Sequence, residues 1–249
     1  MVVKANLKHI RSLHRSKGRA THNQYIIEGR RLFQEALLTN EHLHLAYFTD
    51  TFQSNFPGVV KDVIKECPGA QNVSPAEMKT MSATETPSGI LGVCFIPDNQ
   101  VLDDKLNCNW LFLDSISEPG NMGTLLRTAA WFGINNISLS GDCVDIYNPK
   151  VVRSGMGAHF NITCILDAKI KQFEATHAII GADHKGTNLA NHKIEAPWVL
   201  VLGNEAHGIS ERTRENINHL IAIPRIGAGE SLNVAVAGGI LMEKLKAIN

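Results

Sequence analysis

Apolar runs that stop at glycine- or asparagine-bearing loops constrain this fold more than any other feature of the chain. Trp110–Ile116 runs into Glu118-Pro119-Gly120, Trp198–Leu202 into Gly203-Asn204, and Ile221–Ile223 into a loop holding Gly227 and Gly229. A run without polar alternation is what a strand covered on both faces requires. Ala178–Ala182 is a further strand of this kind, and Ile137–Ser140 also reads as a strand. Helical patterning follows between them, over about Asn121–Phe132, from near Pro149, and over about Leu232–Ile248. Strands that alternate with helices predict a mostly parallel sheet covered on both faces, so the fold class is α/β.

The 249 residues suit one large domain or two modest ones. Before residue 97 the pattern is again mixed. Tyr25–Ile27, Leu43–Thr49 and Gly89–Ile96 have strand character; Arg30–Leu38, Val59–Cys67 and Pro75–Met81 have helical character. Pro97-Asp98-Asn99-Gln100 and Asp103-Asp104 form a polar break. The boundary is placed there, giving domains over residues 1–100 and 107–249.

Charge is balanced at 24 basic and 24 acidic residues, yet it is not evenly spread. Met1–Ile27 contains no acid and holds Lys4, Lys8, Arg11, Arg15, Lys17 and Arg19, and Arg30 and Arg31 follow Glu28. Such a stretch is either a solvated basic face or a phosphate-binding arm. The second reading selects Arg15, Lys17, Arg19, Arg30 and Arg31 as contacts to a nucleic-acid backbone. Aromatic content of 6% does not favour a base-stacking platform. The five cysteines lack C-x-x-C spacing and have no companion histidine cluster, so neither a disulfide framework nor a metal site is expected. No apolar run reaches the ~18 residues of a membrane span. The basic N-terminus lacks the apolar core of a secretory signal and faintly resembles the end of a transit peptide.

Three segments carry candidate chemistry. Leu113-Asp114-Ser115-Ile116-Ser117-Glu118-Pro119-Gly120-Asn121-Met122-Gly123-Thr124-Leu125-Leu126-Arg127 takes a buried strand through a turn into a helix, with Asn121 at the helix start and Arg127 nearly two turns later. G-x-G-x-x-G spacing is absent, which disfavours a dinucleotide loop. A structural ion pair is the plain alternative for Arg127. Leu202-Gly203-Asn204-Glu205 ends a strand at a glycine, where a ligand can approach the backbone, and Glu205 is a polar group at that mouth. Finally Ile223-Pro224-Arg225-Ile226-Gly227-Ala228-Gly229-Glu230-Ser231-Leu232-Asn233-Val234-Ala235 leads a strand through a glycine-rich loop into the last helix. Ser231 suits an N-cap there; Asn233, in the first turn, is harder to explain that way.

Taken in order, these segments resemble the three motifs of the SpoU/TrmH family of RNA 2′-O-ribose methyltransferases, part of the SPOUT superfamily. Asn148–Phe160 resembles the family's segment between its first two motifs, and Glu28-Gly29-Arg30-Arg31-Leu32 is similar to the L30e-like substrate-binding domain attached to many members. The resemblance implies an L30e-like α/β domain followed by a SPOUT domain with a parallel sheet and a C-terminal trefoil knot. It implies S-adenosylmethionine as cofactor, held at Leu202, Gly203, Ile223, Leu232, Val234 and Ala235, and catalysis by Arg127, Asn121, Glu205, Ser231 and Asn233. It also implies a homodimer and structured RNA as substrate, large-subunit ribosomal RNA above all, in a mitochondrial matrix or a bacterial cytoplasm. The alternatives are a 2′-O-methyltransferase of transfer RNA, a SPOUT enzyme acting on a base nitrogen, and a non-catalytic RNA-binding relative.

Overall fold

A computed structural model describes residues 4–39, 43–98 and 107–248, so most of the expected boundary at 97–107 lies outside the described residues. The chain forms two compact units, Met1–Asp98 with Asp145–Phe160, and Asn99–Val144 with Asn161–Asn249. Here the structure departs from a single cut in the chain. Residues 145–160, read from sequence as part of the second domain, fold with the first.

The first unit opens with the basic stretch, which forms two helices, α1 (Lys4–Ser12) and α2 (Ser16–His22). Strand β1 (Gln24–Glu28) and helix α3 (Arg30–Leu38) follow, then β2 (Leu43–Phe48), α4 (Asp50–Asn55), α5 (Pro57–Glu66), β3 (Gln71–Asn72), α6 (Pro75–Met81) and β4 (Ile90–Phe95). The sheet order is β1-β4-β2-β3; β4 is antiparallel to both neighbours, and β2 and β3 are parallel.

Side chains that alternate along these strands feed two separate cores. Tyr25, Ile27, Ile90 and Cys94 join Phe33, Phe52, Val60 and Val63 on one face. Ile26, Tyr47, Leu91 and Val93 join Ile10, Leu13, Met78 and Met81 on the other. The sheet is therefore covered by helices on both sides. Ser74 and Glu77 close a capping box at the start of α6, each satisfying a backbone N–H of the other's residue.

The returning segment docks on this unit through helix α8 (Pro149–Gly155), which follows α7 (Pro119–Trp131), a helix of the second unit, in the chain. Val152 of α8 enters the core beneath β1, and Tyr147 lies against Tyr25 with ring centroids 4.8 Å apart. Asp145 receives the guanidinium of Arg19, with Nε at 2.8 Å.

His159, also in this segment, is buried. Its Nε2–H donates to the Ile146 carbonyl at 2.8 Å, while Nδ1 has no partner. Burial pushes its pKa from 6.5 down to about 4, outweighing the upward pull of that hydrogen bond and of Asp145. The folded protein therefore holds a neutral imidazole where the unfolded chain takes up a proton below pH 6.5. Stability from this residue is complete above about pH 6.5 and is lost as pH falls toward 4, to a total of roughly 3 kcal/mol. Denaturant titrations across that window should show this loss, and His159→Gln should remove about one proton from the slope. An unchanged slope in the variant would show that His159 is not the group responsible.

The second unit is built on six strands, all paired in parallel. They are β5 (Trp110–Leu113), β6 (Asn136–Leu139), β7 (Thr163–Ile165), β8 (Ala178–Asn188), β9 (Trp198–Leu202) and β10 (His219–Ala222), in the order β10-β8-β9-β5-β6-β7. This is the parallel sheet that the apolar runs predict. Trp110, Phe112, Ile179, Val199 and Val201 form a core on one face with Ile170 and Phe173. Helices α7 and α10 (Val234–Ile248) pack on each other, and the short α9 (Glu211–Arg214) precedes β10. All five cysteines are free thiols.

Candidate active site

β5 and β9 lie side by side, Leu113 opposite Leu202, and both end at the same edge of the sheet. Such carboxyl edges are where ligands sit in parallel α/β sheets. Polar side chains hold the loops there. Asp114, only 2% exposed, accepts from the Ser210 backbone N–H at 2.8 Å. Asn204 donates through Nδ2 to the Ser115 carbonyl at 2.8 Å and accepts through Oδ1 from the N–H groups of Ala206 and His207. A bridge between Asn204 and Gly208 closes the turn. Residues 204–210 thus form a braced loop, and Glu205 stands at its tip.

That bracing lets one hydrogen-bonded chain join all three sequence segments. Asn121 Nδ2 donates to Glu205 Oε1 at 2.7 Å, and Asn233 Nδ2 donates to Asn121 Oδ1 at 2.9 Å. Asn233 Oδ1 accepts from the N–H groups of Ala235 and Val236 at the start of α10. The chain has only one consistent direction. Because the helix N–H groups occupy the oxygen of Asn233, its NH₂ must face Asn121, whose own NH₂ must then face the carboxylate. Glu205 is exposed, and its Oε2 has no partner among the described residues.

These contacts also fix which groups cap the two helices. Asn121 does not cap α7; Glu118 does, accepting from the N–H groups of Gly120 and Asn121. Asn233, not Ser231, satisfies the first turn of α10, because that helix begins at Val234. Ser231 is exposed and makes no hydrogen bond among the described residues.

Arg127 lies on the exposed side of α7. Among the described residues it pairs with no carboxylate, so the structural ion pair is set aside. Nor does Glu205 hold it: among the described residues the two form no ion pair, and Glu205 Oε1 accepts from Asn121 instead.

At the proposed cofactor positions, Leu202 is buried at the end of β9, Ile223 follows β10, and Val234 and Ala235 are buried in the first turn of α10. Leu232 is 53% exposed. Gly203 differs from expectation. It is itself buried, and a Cβ there would run into the backbone of Gly208 and Ile209 rather than into ligand space. By contrast, a Cβ at Gly227 or Gly229 would meet open space. An open glycine loop beside strand ends rich in peptide donors and acceptors fits a small polar cofactor.

The five basic candidates belong to the first unit and divide there. Arg15, Lys17, Arg30 and Arg31 are exposed, and Arg30 lies 4.7 Å above the Phe56 ring. Arg19 is corrected. At 3% exposure it donates to Asp145 and to the Leu13 carbonyl, which leaves it no access to a phosphate. Sequence reasoning also missed Asp114 and Asn204 as loop-bracing groups. The available signal was a carboxylate placed directly after a buried strand, where an unpaired charge would be costly.

The family model described as the SpoU rRNA Methylase family matches residues 109–243, and that of the MRM3-like substrate binding domain matches residues 4–92. Bacillus subtilis "23S rRNA (guanosine(2553)-2'-O)-methyltransferase RlmP" is 29% identical, with 96% of this chain and 95% of the relative covered. Zebrafish (Danio rerio) "rRNA methyltransferase 3A, mitochondrial" is 32% identical, with 95% and 67% covered. A solved structure from Porphyromonas gingivalis, described as a putative RNA methyltransferase of the TrmH family, superposes with TM-score 0.85 at 28% identity, covering 98% of each chain.

Proposed function

This chain belongs to the SpoU rRNA methylase family, and we infer that it transfers a methyl group from S-adenosylmethionine to a ribose 2′-hydroxyl of large-subunit ribosomal RNA. The observation that carries the reading is the Glu205–Asn121–Asn233 chain, which ties three segments distant in sequence into one polar wall at the carboxyl edge of the sheet.

S-adenosylmethionine, when bound, supplies an electrophilic methyl on a sulfonium. The residues to hold it are Leu202, Gly203, Ile223, Leu232, Val234 and Ala235, through peptide groups at the ends of β9 and β10 and the start of α10. The chain's own task is then to bring the hydroxyl into line and favour its deprotonated form. Arg127 is the group for this. A guanidinium stays protonated and so is no base, but it binds the adjacent phosphate and stabilises negative charge developing on the 2′-oxygen. Its exposure, and the absence of a carboxylate partner among the described residues, support that role. Asn121, fixed by Glu205 and Asn233, orients the ribose, and Ser231 completes the wall.

In this reading residues 1–100 supply RNA affinity, with Arg15, Lys17, Arg30 and Arg31 as contacts, and residues 107–249 supply the chemistry. The C-terminal segment forms a trefoil knot, and the second domain pairs into a homodimer. Trp131, 84% exposed on α7, and Val236, 51% exposed on α10, suit such a pairing surface. No helix among the described residues is long and apolar enough to cross a membrane. The setting is a bacterial cytoplasm or a mitochondrial matrix, where the relatives' ribosomal substrates occur.

Incubation with S-adenosylmethionine labelled in its methyl group and protein-free large-subunit ribosomal RNA tests the reaction. Label should enter a dinucleotide that survives alkaline hydrolysis, because a 2′-O-methyl removes the nucleophile that cleaves the backbone. Label recovered in a mononucleotide after alkali would assign the methyl to a base and overturn the reading.

A further inference from the structure

The first unit contains a cleft of about 830 Å³ between the α1–α2 corner and the C-terminal end of α6. Arg11, Arg15, Lys17 and His22 line one wall, and Thr80 and Ser82 belong to the other. We propose that this cleft seats the sugar–phosphate backbone of the RNA substrate and makes the first unit's main contribution to affinity without reading bases. The inference rests on the RNA reading above and gives it a location.

The charge is unneutralised. Among the described residues, Arg11, Arg15 and Lys17 pair with no carboxylate. Glu28 accepts from the lining residue Ser82, and it faces inward. It is 8% exposed and accepts from Ser82 Oγ at 2.7 Å, Thr84 Oγ1 at 3.1 Å and the Ser88 N–H at 3.4 Å.

The cleft is also preformed. A Cβ on Gly18 would collide with the Ser12 carbonyl, so the two helices meet in a contact that only glycine permits. Buried Arg19 locks the corner from behind by donating to the Leu13 carbonyl at 2.8 Å while holding Asp145. His14 Nε2–H donates to the Met81 carbonyl at 2.8 Å, fixing the corner to α6. Three cations thus stand on a braced frame, which lowers the ordering cost of binding a polyanion.

The lining chemistry selects the ligand. Guanidinium, ammonium and hydroxyl groups match phosphate and ribose oxygens, and histidine is the only ring among the lining residues. A base-reading site would offer stacking planes. The cleft should therefore bind all RNA sequences alike.

The test measures binding of protein-free large-subunit ribosomal RNA, and of an unrelated RNA of equal length, across a salt series. In Arg11→Gln/Arg15→Gln/Lys17→Gln the log–log salt slope should fall by about 2–3 for both RNAs, since each lost phosphate contact removes ~0.7–0.9. In methyl transfer KM should rise roughly tenfold or more with kcat unchanged. Lys17→Gln alone should lower the slope by just under 1, which keeps the test informative if the triple variant folds poorly. Lys61→Gln/Lys65→Gln, on exposed α5 positions of the same unit, should behave as wild type. A wild-type slope in the folded groove variants would overturn the cleft assignment while leaving the methyltransferase reading intact. So would a loss confined to one RNA, which would mean base readout. Wild-type protein that binds RNA with the predicted groove dependence but transfers no methyl would sink the catalytic reading and spare the cleft.

Discussion

Replacing Arg127 with alanine should lower the rate of methyl transfer by about 10²–10³, the usual loss when one preorganised donor to a developing oxyanion is removed. The fold should not suffer. Arg127 is exposed on α7 and pairs with no carboxylate among the described residues, and alanine is the strongest helix former. Cofactor affinity should also stay near normal, because the cofactor positions lie at the strand ends and the start of α10. Isothermal titration with S-adenosylhomocysteine, the demethylated cofactor product, separates the two roles. If Arg127→Ala loses that binding as well, the residue supports the cofactor site and the hydroxyl must be activated elsewhere. Arg127→Lys is a useful companion. It keeps the positive charge but not the planar fork, so partial recovery would point to charge and its absence to bidentate phosphate geometry.

Gly203→Val should be the most damaging single substitution at the sheet edge. The new side chain would enter the backbone of Gly208 and Ile209. Relief requires the 204–210 loop to move, which breaks the Asn204–Gly208 bridge and withdraws Glu205 from Asn121. Overpacking of this kind typically costs about 1–3 kcal/mol, and more where backbone must yield. Thermal unfolding should therefore shift down together with loss of S-adenosylhomocysteine binding. This differs from the simpler expectation drawn from sequence, in which the glycine only clears space for a ligand. A variant that melts with wild type and still binds the product would contradict the packing described here.

The parallel sheet was readable because its cause is local. Trp110–Leu113 and Trp198–Leu202 are continuously apolar, and a segment with no polar face must be covered on both sides whatever surrounds it. The helix over Arg30–Leu38 was readable for the same reason, from the spacing of Leu32, Phe33 and Ala36. The identity of Asn121, Glu205 and Asn233 as polar groups near strand ends was also visible in the sequence. Their mutual contacts were not. Asn121 and Glu205 are 84 residues apart, and Asn121 and Asn233 are 112 apart. No period or propensity in a single chain encodes which amide faces which carboxylate.

Arg15, Lys17 and Arg19 mark the same limit. In sequence they are equivalent members of one acid-free stretch, and its basic character alone shows that the first unit carries excess positive charge. Only the folded chain separates them. Residues 145–160 return to the first unit and bring Asp145 against Arg19, turning one cation into a buried strut while Arg15 and Lys17 remain in solvent. Sequence by itself determined the class of the apolar strands and the periodic helices and the supply of charged and polar groups, because burial of apolar runs and helix periodicity act over a few neighbouring residues; short elements such as β3, β7 and α9 carry no such run. Tertiary structure decided which of those groups meet, because a hydrogen bond or ion pair depends on distances of about 3 Å that are set only when remote segments pack.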